Sequence, residues 1–154
     1  MRKNIIFFII FCFISSCGYN SLYKNNNLKN FKFNFKLVQT DGDKNINNNI
    51  LSTLKGYSDK NLKNVIEIKL YSSYTKSSVS RDKKGKTSKY NIVITADFYL
   101  ISDNEEIKKI TITEKIGIKN ISDAFQQKSY ERKIIKDLSK SIAQKFVEKL
   151  STYK

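Results

Sequence analysis

The sequence predicts an α+β domain, a two-layer sandwich in which two helices cover one face of a four-stranded, mainly antiparallel or mixed sheet. Two patterns support this prediction. Four segments alternate apolar and polar residues with the period of half-buried strands, and two segments repeat apolar residues with helical spacing. The order along the chain is strand, short helix, three strands and long helix, with no internal repeat.

A strand and a short helix open the domain. The apolar residues that alternate in this first strand are Phe31, Phe33, Phe35 and Leu37. Asp43 follows in a turn and can cap a helix. Apolar residues then recur at helical spacing, which predicts an amphipathic helix over 43–55. Gly56 lies just past its end as a stop signal.

The next three strands are joined by short turns, which predicts an antiparallel meander. A charged hairpin tip over 81–86 separates the second strand from the third. The third strand, over 90–101, is apolar on one face and partly apolar on the other, as strands inside a sheet are. In the fourth strand Ile107 is out of phase with the other isoleucines, which predicts a β-bulge.

The last segment has the clearest helical pattern. Its apolar residues recur every four positions at Tyr130, Ile134, Leu138, Ile142, Phe146 and Leu150. A stripe of this kind normally packs on a sheet, and an interfacial membrane helix is the alternative. The predicted N-cap is Ser122 or Asp123.

The N-terminus predicts export and a lipid anchor. Arg2 and Lys3 precede an apolar run over 5–14 and small residues before Cys17, which are the parts of a secretory signal. The run is about half of the ~20 residues that a transmembrane helix needs. The sequence Ile-Ser-Ser-Cys that ends at Cys17 has the form of a lipobox, the site of lipidation and cleavage. An ordinary signal peptide with a chance cysteine is the alternative.

We therefore predict a signal peptide over 1–16, a lipidated N-terminus and tether over 17–30 and a single domain over 31–154. Gly18, rather than an aspartate, follows Cys17, which by analogy with enteric lipoproteins permits export to the outer membrane. Two or more acyl chains hold a protein stably at a membrane. The predicted location is the periplasmic side of the outer membrane.

The composition excludes several classes of function. The chain has no histidine, and its two cysteines are Cys12 in the signal and Cys17 at the lipidation site. Serine and cysteine triads need a histidine, and the mature domain lacks thiolates and the imidazole, which is the commonest metal ligand. We expect no cofactor besides the covalent lipid on Cys17. An exported enzyme that uses carboxylates is the remaining enzymatic alternative, but no spaced pair indicates one.

The charge predicts anionic partners. The net charge is +15, and it falls to +13 when Arg2 and Lys3 leave with the signal. A basic excess of this size favours nucleic acid, a membrane surface or an acidic glycolipid. Export argues against nucleic acid. Part of the lysine excess fits a bias towards AT-rich codons, because asparagine, isoleucine and tyrosine are also abundant.

The chain also resembles the LptE family of lipopolysaccharide-assembly lipoproteins. Cys17-Gly18-Tyr19 and the following Leu22-Tyr23 match the start of alphaproteobacterial members. The hairpin over 78–90 matches the family's central hairpin, and residues 131–150 resemble its C-terminal helix. The resemblance implies a lipoprotein, not an enzyme, that plugs and helps assemble the outer-membrane β-barrel LptD and assists lipopolysaccharide delivery to the outer leaflet. A generic lipid-anchored scaffold that binds another envelope protein is the alternative.

The resemblance further implies a lipopolysaccharide site at the hairpin. Arg81 matches the family's basic position before the hairpin glycine, and Lys128 is nearest to a second basic position before the last helix. Lys83, Lys84, Lys86 and Lys89 are neighbours that we include on charge alone. Arginine binds phosphate through a planar fork of donors and lysine through a point charge. A solvated, lysine-rich turn without a ligand is the alternative.

Overall fold

The computed structural model describes residues 31–103 and 105–152. The predicted signal peptide and the tether with Cys17 lie outside the described residues. The elements in chain order are β1 (Asn34–Gly42), α1 (Lys44–Lys55), β2 (Val65–Arg81), β3 (Thr87–Ser102), β4 (Glu105–Lys119) and α2 (Ala124–Ser151). The predicted order of elements is confirmed.

The four strands form one mixed sheet in the order β1-β2-β3-β4. β1 and β2 are parallel, whereas β2, β3 and β4 form the predicted antiparallel meander. The parallel pair requires a crossover because parallel neighbours cannot be joined by a tight turn. α1 provides that crossover between β1 and β2. The α+β class and the mixed sheet are therefore confirmed.

The hydrophobic core lies between one face of the sheet and the two helices. Alternate residues of β3 are buried on that face, namely Ile92, Ile94, Ala96, Phe98 and Leu100. The rings of Phe98 and Phe146 stack at the centre of the core, with centroids 4.0 Å apart and an angle of 14° between their planes. β3 has a partner strand on each side, which confirms its predicted position inside the sheet.

α2 packs on the sheet from Ile134 onward, as its apolar stripe predicts. Tyr130 was predicted to belong to this stripe, but its side chain is 38% exposed. The physical reason is that the first two turns of α2 lie above the polar end of the β2–β3 hairpin, where Lys76 meets Glu131. No helix in the described part of the chain is both long enough and apolar enough to cross a membrane.

Three predicted local features are confirmed, namely the N-caps of the two helices and a bulge in β4. Asp43 caps α1 by accepting hydrogen bonds from the N–H groups of Asn45 and Ile46 at 2.9 and 3.0 Å. Asp123, one of the two predicted residues, caps α2. The β3–β4 register shifts at Leu100 and leaves Ile107 as the extra residue of a bulge.

β1 differs from the prediction in its extent. The strand begins at Asn34, because Phe31 and Phe33 precede it and Phe33 forms only an isolated bridge with Ser58. Leu37 is 38% exposed although it shares the alternation of the buried Phe33 and the half-buried Phe31 and Phe35. β1 is an edge strand whose pairing with β2 shifts between Leu37 and Gln39, so its second half lies beyond the core.

Candidate anion-binding groove

The tip of the β2–β3 hairpin is a tight loop organised by Asp82. The Asp82 carboxylate accepts hydrogen bonds from the N–H groups of Lys84 and Lys86, both at 2.9 Å. Its carbonyl accepts from the N–H of Gly85 at 3.0 Å. Gly85 has a φ of +78°, a left-handed conformation that glycine adopts without strain. Asp82, the one acidic residue of the loop, therefore accepts its hydrogen bonds from the backbone of the loop itself.

The segment between β4 and α2 is tied to the start of β3. The Asn120 side chain donates to the carbonyl of Thr87 at 2.7 Å, and its N–H donates to the carbonyl of Ser88 at 2.9 Å. The N–H of Ile121 donates to the side-chain oxygen of Gln127 at 2.7 Å. These bonds hold the first turn of α2 beside the base of the hairpin.

A groove of about 910 Å³ lies between the hairpin and the start of α2. We call it the anion groove. Its lysines are Lys76, Lys86, Lys89, Lys119 and Lys128, and its acids are Asp82 and Glu131. The lining residues therefore carry a net charge of +3, while Ser88, Ser122 and Asn120 add neutral hydrogen-bonding groups. Such a surface attracts anions, and phosphate in particular.

One of the five lysines has partners inside the protein. The Lys76 ammonium pairs with the Glu131 carboxylate and lies 4.2 Å from the centroid of the Tyr90 ring. Burial of Glu131 would raise its pKa, but hydrogen bonds from Gln127 and Lys76 outweigh burial and hold the pKa below its ordinary value. Lys76 therefore neutralises Glu131 and does not add a free charge for a ligand.

The other four lysines of the groove have no carboxylate partner within 4.0 Å among the described residues. Lys89 and Lys119 lie directly opposite each other in the β3–β4 register. Two like charges at that spacing repel each other, so an anion between them would relieve the repulsion. The groove is a preformed electropositive surface rather than a network of internal ion pairs.

The structure separates the predicted lipopolysaccharide-binding residues into two groups. Lys86, Lys89 and Lys128 line the groove. Arg81, Lys83 and Lys84 do not line it: Arg81 donates to the carbonyl of Gly85 at 3.4 Å, and both lysines are exposed in the turn. Cys17 lies outside the described residues. The assignment of these residues to a ligand stays a prediction.

Sequence reasoning missed Lys119 and Phe125. Lys119 is thirty residues from Lys89, and only the antiparallel return of β4 brings the two together. A residue-by-residue register of the predicted meander would have found it. Phe125 lies in the first turn of α2, next to the groove residue Ala124, and is 76% exposed. An exposed phenylalanine next in the chain to a groove residue gives this end of the protein an apolar surface as well as positive charge.

Nothing in residues 31–103 and 105–152 groups three metal-ligating side chains. The absence of a cofactor stays a prediction.

Comparison with known proteins identifies the family. The family model of LptE, described as lipopolysaccharide-assembly, matches residues 31–150. The chain belongs to the LptE family. The description of the family places its members in lipopolysaccharide assembly. No curated protein sequence matches this LptE-family chain.

Solved structures share the fold of this LptE-family chain. Rare lipoprotein B from Shewanella oneidensis is 13% identical, with a TM-score of 0.58 over 74% of this chain and 94% of that one. Lipoprotein B from Nitrosomonas europaea is 15% identical, with a TM-score of 0.54 over 80% and 85%. A minor lipoprotein from Acinetobacter baumannii is 15% identical, with a TM-score of 0.53 over 77% and 94%. These likenesses show a common fold.

Proposed function

We propose that this LptE-family chain is an outer-membrane lipoprotein, anchored through Cys17, that plugs and helps assemble the LptD β-barrel and passes lipopolysaccharide to it through the anion groove. Membership of the family supports the role in lipopolysaccharide assembly. The observation that supports the binding site is that four lysines without a carboxylate partner among the described residues line one groove. The chain uses no catalytic group in this role.

The groove matches the chemistry of an anionic glycolipid headgroup. Lys86 comes from the hairpin, Lys119 from the end of β4 and Lys128 from α2. Lysines from three separate elements around one groove can attract a phosphate, and charge-assisted hydrogen bonds of this type are among the stronger ones in proteins. The exposed ring of Phe125 beside the groove offers an apolar surface to an acyl chain.

The ends of the sheet have different roles in this proposal. The predicted tether leads to residue 31, three residues before β1 begins at Asn34. Asn34 pairs with Val65 at the beginning of β2. The anion groove is at the other end of β2, about 50 Å away for a strand of this length. A lipid on Cys17 would then hold one end of the domain at the membrane and leave the groove accessible at the other.

Charge reversal tests the groove. We expect the triple variant Lys86→Glu, Lys119→Glu and Lys128→Glu to bind purified lipopolysaccharide about tenfold more weakly or worse, because the loss of one charge-assisted hydrogen bond already corresponds to roughly this factor. Binding is measured by titration at low salt and again at about 0.15 M salt, where surface attraction is screened.

The matched control reverses three exposed lysines that do not line the groove, namely Lys60, Lys63 and Lys140. Both triple variants change the net charge equally. Equal weakening by the two variants would mean that net charge alone attracts the glycolipid, and unchanged binding by the groove variant would remove the groove from the proposal. Circular dichroism is used to check that each variant is folded.

Copurification tests the association with the barrel. Epitope-tagged full-length protein, extracted from membranes in mild detergent, should retain a large β-barrel protein, because a plug is enclosed by its partner. The recovered protein is identified by mass spectrometry and by heat-dependent mobility in gels. Recovery of soluble partners alone would support a generic envelope scaffold and contradict the plug.

A further inference from the structure

Among the described residues, part of β2 has no neighbouring strand on one side. The pairing of β1 with β2 ends where Gly42 meets Ser72, but β2 continues to Arg81. Residues 73–81, which we call the open edge, pair with β3 on one side only. No loop in the described part of the chain makes a backbone hydrogen bond to the open edge.

The direction of the backbone groups on this edge follows from one bond in β3. The Ser88 carbonyl accepts from Asn120 and so points towards β4. Backbone groups of successive residues in a strand point to alternate sides. The backbone N–H and C=O groups of Asn91 therefore point towards β2, where the partner of Asn91 in the register is Ser77. It follows that the N–H and C=O groups of Ser77 point to β3, whereas those of Ser78 point outward.

The same alternation applies to the residues before Ser78. The N–H and C=O groups of Tyr74 and Lys76 also point outward, because the register between β2 and β3 is regular from Glu67 to Ser78. The side chain of Lys76 turns inward to Glu131 and the Tyr90 ring. Its charge therefore does not hinder the addition of a strand to this edge. The open edge therefore presents a row of donors and acceptors that no described residue pairs with.

The outer edge of β4 is protected in a way that the open edge is not. Seven of the fifteen residues of β4 are charged, and a bulge lies near its start. Charges and bulges are the usual means by which proteins prevent strand addition. Only two of the nine residues of the open edge are charged, none is proline, and five are serine or threonine. Its irregularity begins only after Ser78.

We propose that the open edge is an interaction surface that binds an extended segment of the partner protein as an added β-strand next to Tyr74–Ser78. The proposal rests on the proposed association with a β-barrel. Strand addition uses main-chain hydrogen bonds for affinity, which suits an edge with small side chains. The open edge is about 30 Å long, enough for a strand of typical length.

The charge around the edge and the geometry of barrels define the occupant. Arg81 ends the open edge and the lysines of the hairpin tip adjoin it. A segment that carries acidic residues is therefore favoured over a second copy of this strongly basic chain. The strands of a closed barrel wall already have neighbours on both sides. The added strand therefore comes from a loop or another extended segment of the barrel protein.

A proline that blocks only the open side tests this inference. In Ser78→Pro the ring replaces an N–H that points outward, so the bonds to β3 remain and strand addition is prevented. We expect the recovery of the barrel in copurification to fall about tenfold, as expected from the loss of one or two backbone hydrogen bonds. Ser78→Ala is the matched control, because it also removes the hydroxyl that contacts Thr87 but keeps the N–H.

The outcomes separate this inference from the proposed function. If wild type retains a barrel and Ser78→Pro retains as much, the open edge is not the interface, but the association stands. If wild type retains no barrel, the plug itself is wrong. Ser77→Pro serves as a folding check, because it removes an N–H that points to β3 and should lower the melting temperature more than Ser78→Pro does.

Amide hydrogen exchange identifies what covers the edge. We expect the amides of Lys76 and Ser78 to exchange rapidly in the free full-length protein and at least tenfold more slowly in the complex with the barrel. Slow exchange in the free protein at all concentrations would show that this chain covers its own edge. Protection that increases with concentration, together with a doubled mass, would show pairing between two copies. Either result would overturn the proposal.

Discussion

Phe146→Ala is expected to destabilise the domain by about 3–5 kcal/mol, the usual loss for a phenylalanine removed from a core. Phe146 is fully buried, and its ring stacks on Phe98 with the centroids 4.0 Å apart. Alanine would leave a cavity where α2 meets the centre of the sheet. Domains of this size are stable by only about 5–15 kcal/mol, so the loss is a large fraction of the total. The measurement is the free energy of unfolding from urea denaturation.

Phe125→Ala is the matched control for this substitution. It is the same chemical change on the same helix, but the Phe125 side chain is 76% exposed. Its unfolding free energy should stay within about 0.5 kcal/mol of wild type. A similar loss in both variants would mean that helix propensity or the unfolded state, rather than the stacked core, determines the effect.

Gly42→Ala is expected to cost about 3 kcal/mol or more in unfolding free energy. Gly42 has a φ of +91°, and a left-handed backbone costs other residues about 1–2 kcal/mol. A Cβ atom at this position would lie 1.8 Å from the carbonyl oxygen of Ser72. Overpacking of this kind adds about 1–3 kcal/mol, and relief requires β1 to move away from β2.

Gly85→Ala separates the two contributions. Gly85 also has a left-handed backbone, with a φ of +78°, but a Cβ atom there would meet nothing within 4 Å. This variant should lose only the conformational cost of about 1–2 kcal/mol. Equal losses for the two glycines in urea denaturation would contradict the close approach of β1 to β2. The hairpin tip should keep its shape in both variants.

Local patterns predicted most of the fold. The alternation in β3 and β4 and the helical spacing in α2 identified these elements, because each has one face in the core and one in water. The out-of-phase Ile107 predicted the bulge in β4 correctly. The pattern was wrong for Tyr130 and for the extent of β1. Periodicity reports the side of an element on which a residue lies, but not where the facing surface ends.

The candidate site was less predictable than the fold. Charge and the family resemblance pointed to the hairpin and to Lys128, but they did not separate Lys86 and Lys89 in the groove from Lys83 and Lys84 in the turn. Nothing in the sequence around Lys119 indicated that this residue belongs to the candidate site. A binding surface depends on which side chains converge from different elements, and convergence is a property of register and of helix placement.

The sequence by itself determined the element order, the α+β class, the strongly basic surface and the absence of histidine from the chain. These properties follow from composition and from periodicities over a few residues. Only the tertiary structure decided that β1 runs parallel to β2 with a pairing that ends where Gly42 meets Ser72. It also decided that Lys89 and Lys119 are opposite each other in the register and that Lys76 pairs with Glu131. The groove and the open edge both arise from contacts between residues far apart in the chain, which local patterns do not encode.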